Sequence, residues 1–187
     1  GSNPKFWNAI PGAATSDYWT GSENIPLRGE KGSLWEGGIR VPMWAYWKGT
    51  IPPGQVVDDP VITLDFTATS LRLAGGDIPS IYDGVDLAPL LTGETNGLGR
   101  GESMFWDWGD EPAGEIAIRK GDWKMRRSGA GDYLFHIASD PVEQTNVVFQ
   151  FPARQLELEA DLMAWEAALP EAGRAFMGDT PGDLVYI

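Results

Sequence analysis

From residue 103 onward, apolar and polar positions alternate in short runs, and this half of the chain reads as an antiparallel sheet followed by one helix. Residues 103–108, 115–119, 123–127 and 132–137 are four candidate strands. In the third, Trp123 and Met125 alternate with Lys124 and Arg126, giving one apolar and one basic face. The short link Lys120-Gly121-Asp122 predicts a hairpin between the second and third strands. Leu158, Leu162, Trp165 and Leu169 recur at helical spacing, so they predict an amphipathic helix with one buried face, ended by Pro170.

The first half follows a different pattern. Residues 41–47 are almost continuously apolar and rich in aromatics, which predicts a strand covered on both faces. Residues 61–64 can form another extended piece, after which Asp65 is placed to cap a helix running to Leu73, with Gly75-Gly76 as its stop. Residues 86–91 predict a brief helical turn. The opening forty residues have no hydrophobic period; Gly, Pro, Asn, Ser and Thr dominate, with Trp7, Trp19 and Trp35 among them. That is a long, irregular, partly buried loop, and such loops in compact domains tend to carry function. A shift in composition near Gly97 suggests two parts: residues 1–97 as the edge of an α/β layer, and 98–187 as a small antiparallel sheet with a packed C-terminal helix. The class is α/β, with an α+β second half.

Composition narrows the function. Hydrophobic residues make up 42% and charged residues 22% of the 187, enough to build a core. The net charge of −13 repels phosphate backbones and anionic lipid, which argues against nucleic acid as a partner. With no cysteine and a single histidine, His136, this chain holds no thiolate site, cysteine nucleophile or multi-histidine metal site. No apolar run reaches the length needed to span a bilayer, and no basic, then apolar, signal segment opens the sequence.

The densest candidate for chemistry is Pro26-Leu27-Arg28-Gly29-Glu30-Lys31-Gly32-Ser33-Leu34-Trp35-Glu36-Gly37-Gly38-Ile39-Arg40-Val41-Pro42. Its glycines allow tight turns and close backbone approach, and Arg28, Lys31 and Arg40 put cations in the same stretch, as an anion cradle would need. It has neither the GxxxxGK[ST] spacing of a phosphate loop nor the GxGxxG of a dinucleotide site. The competing reading is that the glycines serve only turns while the cations pair with Glu30 and Glu36.

This stretch closely resembles the second diagnostic segment of the sulfatase family, Leu-Arg-Gly-x-Lys-Gly-x-x-x-Glu-Gly-Gly-x-Arg-x-Pro. Further stretches are similar to the family's in the same order. They are Asp65-Phe66-Thr67-Ala68-Thr69 with Leu73-Ala74-Gly75, where Ala68 replaces the usual proline, and Asp83-Gly84-Val85-Asp86-Leu87-Ala88-Pro89-Leu90-Leu91-Thr92-Gly93. Ile118-Arg119-Lys120-Gly121-Asp122-Trp123-Lys124 and Leu134-Phe135-His136-Ile137-Ala138-Ser139-Asp140-Pro141 complete the series. The resemblance implies the C-terminal portion of a sulfate ester hydrolase of the alkaline-phosphatase-like superfamily, in which related enzymes cleave phosphate or phosphonate esters. Such an enzyme would use a formylglycine made from a Cys/Ser-x-Pro/Ala-x-Arg stretch and a calcium ion held by Asp and Asn/Gln side chains. Neither the stretch nor that ligand set is found in this chain, so the chain alone is expected to be inactive. Relatives are often exported, to the periplasm or beyond the cell.

By motif, Lys31 is the residue expected to contact the sulfate oxygens, where a fixed cation lowers the barrier as charge builds. Arg28 and Arg40 are expected to hold the loop through carbonyls or carboxylates, and Glu36 to anchor it. Trp106 and Trp108, on a strand that borders the active-site mouth in relatives, could pack on a sugar or aryl group or simply in the core. His136 falls where the family has Asp and reads as a structural histidine. Arg119, Lys120, Lys124, Arg126 and Arg127 read by default as a solvated strand face that could steer an anion. Asp58-Asp59 and residues 140–143 read as turns, since calcium-loop spacing is absent. The expected partners are a complementing N-terminal sulfatase part or a second copy of the chain, because an uncovered apolar strand at 41–47 leaves an exposed patch. The rival function is a non-enzymatic module that binds an anion or a partner protein.

Overall fold

A computed structural model of the chain describes residues 24–101, 103–108 and 115–169. The chain divides into two compact units: residues 1–41 with 103–187, and residues 42–102.

The first unit is built on a four-stranded antiparallel sheet, β1 (Met104–Asp107), β2 (Ile116–Lys120), β3 (Trp123–Ser128) and β4 (Gly131–His136), paired in chain order. The bounds lie within about one residue of those read from alternation. The hairpin between β2 and β3 forms as predicted, with Gly121 at φ 57°. Register places Phe105, Ile118, Met125 and Leu134 in one row across the sheet. Helix α4 (Pro152–Ala168) covers that row: Leu158 and Leu162 are buried against Ile118, Met125, Leu134 and Val148, and Trp165 stacks on Phe105 at 4.8 Å. Each such side chain contributes about 1.5–3 kcal/mol on full burial. Pro152 sits in the first turn, where its missing N–H costs nothing. Leu169 is the C-cap, one step past the helix, and Pro170 lies outside the described residues.

The second unit contains α2 (Thr63–Leu73) and the single turn α3 (Ala88–Leu91). Asp65 does not occupy the N-cap position expected of it. Ile62 is the N-cap, and Asp65, three residues on, reaches back to accept the Ile62 N–H at 2.8 Å, the acidic half of a capping box. The same buried carboxylate accepts the Val85 N–H at 2.9 Å and pairs with Arg100 at 2.5 Å, so it ties three segments together. Asp59 accepts the Leu98 N–H at 3.0 Å, an anchor for the turn read there.

The strand expected at residues 41–47 does not form. All four described strands belong to the sheet above, and Pro42 cannot donate to a ladder, so the segment runs without regular pairing. Trp44 and Tyr46 are 88% and 86% exposed. No helix among the described residues is long and apolar enough to cross a membrane.

Candidate functional site

The Gly-rich stretch folds onto the sheet face that α4 leaves open. Leu27 N–H donates to the Asn24 carbonyl at 2.7 Å, Gly37 N–H to the Arg28 carbonyl at 2.7 Å, and Ser33 Oγ–H to the Glu30 carbonyl at 2.8 Å. The chain thereby doubles back and enters the one-turn helix α1 (Glu36–Ile39). Three glycines, Gly29, Gly37 and Gly38, are demanded by this geometry. Gly29 has φ 80°, and a Cβ there would meet Ser33 Oγ and Trp35 Cβ at 2.6 Å; a Cβ on Gly38 would meet the Ser33 carbonyl at 2.0 Å. Lys31 rides on the exposed turn between these fixed points.

Trp35 pins the loop. The guanidinium groups of Arg28 and Arg126 both lie over its buried indole, 3.6 and 4.2 Å from the ring centroid, and the ring meets Tyr133 and Phe135 edge-on at 5.4 and 5.7 Å. Each cation over the ring adds roughly 0.5–2 kcal/mol, more where water is excluded. Arg126 is held in turn by an ion pair with Glu115, whose carboxylate also accepts the Leu34 N–H at 3.0 Å.

Beneath α1 lies a buried ionic cluster. Lys124 Nζ, fully enclosed, is 2.9 Å from Glu36 Oε1 and 2.9 Å from Glu143 Oε1. Arg119 approaches Glu36 Oε2 at 3.8 Å. Glu143 accepts the Glu36 N–H at 2.7 Å, and its backbone carbonyl accepts from Arg28 Nη1 at 2.9 Å. Burial pushes the Glu143 carboxyl above its ordinary pKa despite the opposing pull of Lys124. Burial likewise pulls Arg28 down, against the attraction of Glu143, although a guanidinium stays charged.

Two expectations are corrected here. Lys124 and Arg126 are not a solvated strand face: both are buried, because an irregular loop covers them and supplies carboxylates at the matching positions. Glu143 is not merely a turn residue but a buried carboxylate, while Asp140 does hold its turn by accepting the Gln144 and Thr145 N–H groups at 3.0 and 2.8 Å. The hydrophobic alternation revealed which β3 residues share a face, but the covering came from a loop more than eighty residues away in sequence, which no local pattern shows.

Arg28 holds the loop as expected, and Glu36 anchors it through Lys124 and Arg119. Arg40 is exposed and has no side-chain partner among the described residues. Trp106 and Trp108 share parity with Met104 along β1 and lie in register with Ala117 and Glu115, which puts them on the loop side of the sheet. Trp106 is half-buried and Trp108 is 51% exposed, and neither belongs to a core cluster. Trp106 and Trp108 are thus on the side of the sheet that the Lys31 loop covers. His136 is satisfied structurally, with Nδ1 2.9 Å from Ser139 Oγ and its ring edge-on to Trp123 at 4.9 Å. Lys120 and Arg127 lie on the other face and pair with Glu157 and Asp161, and with Asp132 and Glu159. Trp7 and Trp19 fall outside the described residues. Among the described residues, no three His, Asp or Glu side chains group so as to hold a metal ion; the buried acids serve caps and ion pairs.

Residues 30–165 match the family described as N-sulphoglucosamine sulphohydrolase, C-terminal. Arylsulfatase A of Bos taurus is 37% identical over 138 residues, covering 73% of this chain and 27% of that protein. A sulfatase of Formosa agariphila is 30% identical over 165 residues, covering 77% and 30%. The crystal structure of Ps i-CgsB in complex with k-i-k-neocarrahexaose superposes with a TM-score of 0.71 at 29% identity, over 78% of this chain and 33% of that one. The chain therefore spans about a third or less of the length of these relatives.

Proposed function

The chain belongs to the sulfatase family of the alkaline-phosphatase-like superfamily, as the domain homologous to the C-terminal part of sulfate ester hydrolases, and we propose that Lys31 is its contribution to the reaction. In sulfate ester cleavage, charge grows on the leaving and non-bridging oxygens. An ammonium already in place beside them stabilises that charge without reorganising at the moment of reaction. The observation that carries this reading is the contrast within the loop: Gly29, Ser33, Trp35 and Glu36 are buried and locked, whereas Lys31 between them is exposed. A cation on a rigid base is what a preorganised anion contact requires.

The nucleophile and the metal belong, in this reading, to sequence outside these 187 residues, since no Cys/Ser-x-Pro/Ala-x-Arg stretch occurs here and no described residues fit calcium. Formylglycine and calcium are the groups such a partner region would bring, and the 187 residues alone turn over no sulfate ester. The exposed apolar residues Val41, Trp44, Tyr46 and Val56 are available to be covered by that region, or by a second copy when it is missing. Trp108 offers an aromatic face for a sugar ring, and the hexaose bound to Ps i-CgsB favours a sulfated saccharide as the substrate class.

The test is an aryl sulfate assay with added calcium, run on the 187-residue chain and on a protein that joins it to a nucleophile-bearing sulfatase region. The chain alone is expected to be inert and the joined protein active. Lys31→Ala is expected to lower kcat/KM of the joined protein by roughly 100- to 1000-fold. Turnover by the isolated chain, or an unchanged kcat/KM in the variant, would refute the assignment.

A further inference from the structure

Glu143 lies in the turn after β4, far in sequence from the loop that bears Lys31, yet contacts from both sides of Lys31 meet on it. It is fully buried, and it is the one non-glycine among the described residues with a left-handed backbone, at φ 56°. A residue persists in that region when its surroundings fix it from several directions. Here there are three. Its backbone carbonyl accepts from Arg28 Nη1 at 2.9 Å, its Oε2 accepts the Glu36 N–H at 2.7 Å, and its Oε1 faces the Lys124 ammonium at 2.9 Å. Lys124 closes the ring by donating to Glu36 Oε1 at 2.9 Å. Arg28 and Glu36 bracket Lys31 in sequence, so both ends of the short segment that carries the candidate cation are tied to this one side chain and its carbonyl.

We propose that Glu143 is the positioning residue of the Lys31 loop, setting where the ammonium sits while touching no substrate itself; this rests on the reading of Lys31 as the sulfate contact. The chemistry suits a glutamate. One oxygen accepts the Glu36 N–H while the other carries charge facing the Lys124 ammonium, an aspartate is one methylene short, and a glutamine keeps an acceptor for the Glu36 N–H but turns an N–H group toward that ammonium.

The experiment is amide hydrogen exchange on the 187-residue chain, comparing the parent with Glu143→Ala and Glu143→Gln. In Glu143→Ala the amides of Glu36, Gly37 and Arg40 are expected to exchange about tenfold faster or more, while those of β2 and β3 stay within about twofold. Glu143→Gln, which keeps one acceptor, is expected to show a smaller change confined to the same amides, and it serves where the alanine variant does not fold. Loop amides that do not respond, or loop and sheet amides that accelerate together, would overturn the proposal, the latter because it marks a general structural role. In the joined, active protein, Glu143→Ala should lower kcat/KM, and combined with Lys31→Ala it should lower kcat/KM no further than Lys31→Ala alone; additive losses would also overturn it. Because exchange needs no turnover, a failed Lys31 assignment and a failed Glu143 assignment give different results.

Discussion

The two faces of the sheet are covered in opposite ways. On the face under α4 the contact is carbon on carbon, among Ile118, Met125, Leu134, Leu158 and Leu162, and the ion pairs of Lys120 and Arg127 stay at the half-exposed rim. On the face under the Lys31 loop the charges are inside: Lys124, Glu36 and Glu143 are all buried, and two guanidinium groups lie over Trp35. The difference follows from what each cover brings. A helix satisfies its own backbone and needs only an apolar stripe to dock. An irregular loop arrives with unpaired N–H and C=O groups, which must find partners once buried. Glu143 takes the Glu36 N–H, Glu115 takes the Leu34 N–H, and Arg28 donates to the Glu143 carbonyl. The loop face is therefore polar because its cover is a loop, and it can hold a defined backbone shape that a greasy contact would not specify.

The sharpest way to break this contrast is to remove the central cation. Lys124→Met leaves Glu36 and Glu143 buried without their shared partner, and about 3–5 kcal/mol of stability should be lost in urea unfolding. Leu158→Ala, on the other face, should cost about 3 kcal/mol through lost burial and the cavity left behind. If the leucine proves much the costlier, the buried charges are not what holds the loop side.

The faces should also differ in the sign of their pH response. Burial raises the Glu143 pKa above its ordinary 4.5, so the native state favours its protonated form. Its contribution is fully present below 4.5 and is lost as pH rises through the raised native value. The stability of the parent relative to Glu143→Gln should therefore fall as pH climbs from about 4.5. Asp161 is the reverse: its hydrogen bond from Lys120 lowers its pKa below 3.8, so its contribution is present above 3.8 and lost as pH falls through the lower native value. Parent minus Asp161→Asn should rise with pH across that window, and the same slope for both pairs would erase the distinction. The smallest effect is the size of that rim contribution itself. Asp161→Asn should cost less than about 1 kcal/mol near neutrality and less still at high salt, as read from thermal unfolding.

How much of this was legible in the chain divides along the same line. The α4 face could be read directly, because Trp123, Met125, Leu158, Leu162 and Trp165 carry the periods of strand and helix in their own order. On the loop face, the glycines and cations marked the segment that covers the sheet. The pairing of Lys124 with Glu36 left no period, since it depends on residues 88 positions apart meeting in space. The apolar run at 41–47 misled for a related reason: hydrophobicity states that a segment favours burial, not that a neighbour is there to bury it.

The split of the first unit between residues 1–41 and 103–187 also sets an order in time. When the chain is synthesised from its N-terminus, the Lys31 loop emerges well before its anchors, and the bond from Arg28 to Glu143 closes over 115 residues. At ribosomal rates of about 5–20 residues per second, the loop waits on the order of ten seconds for the strands it will lie on. Until then only the loop's own hydrogen bonds, such as that from Ser33 Oγ–H to the Glu30 carbonyl, can hold its turns, and closing so long a span carries an entropic cost that only the finished sheet can offset. Within these 187 residues the Lys31 loop is made well before the strands that fix it, and it can take its final place only once they exist.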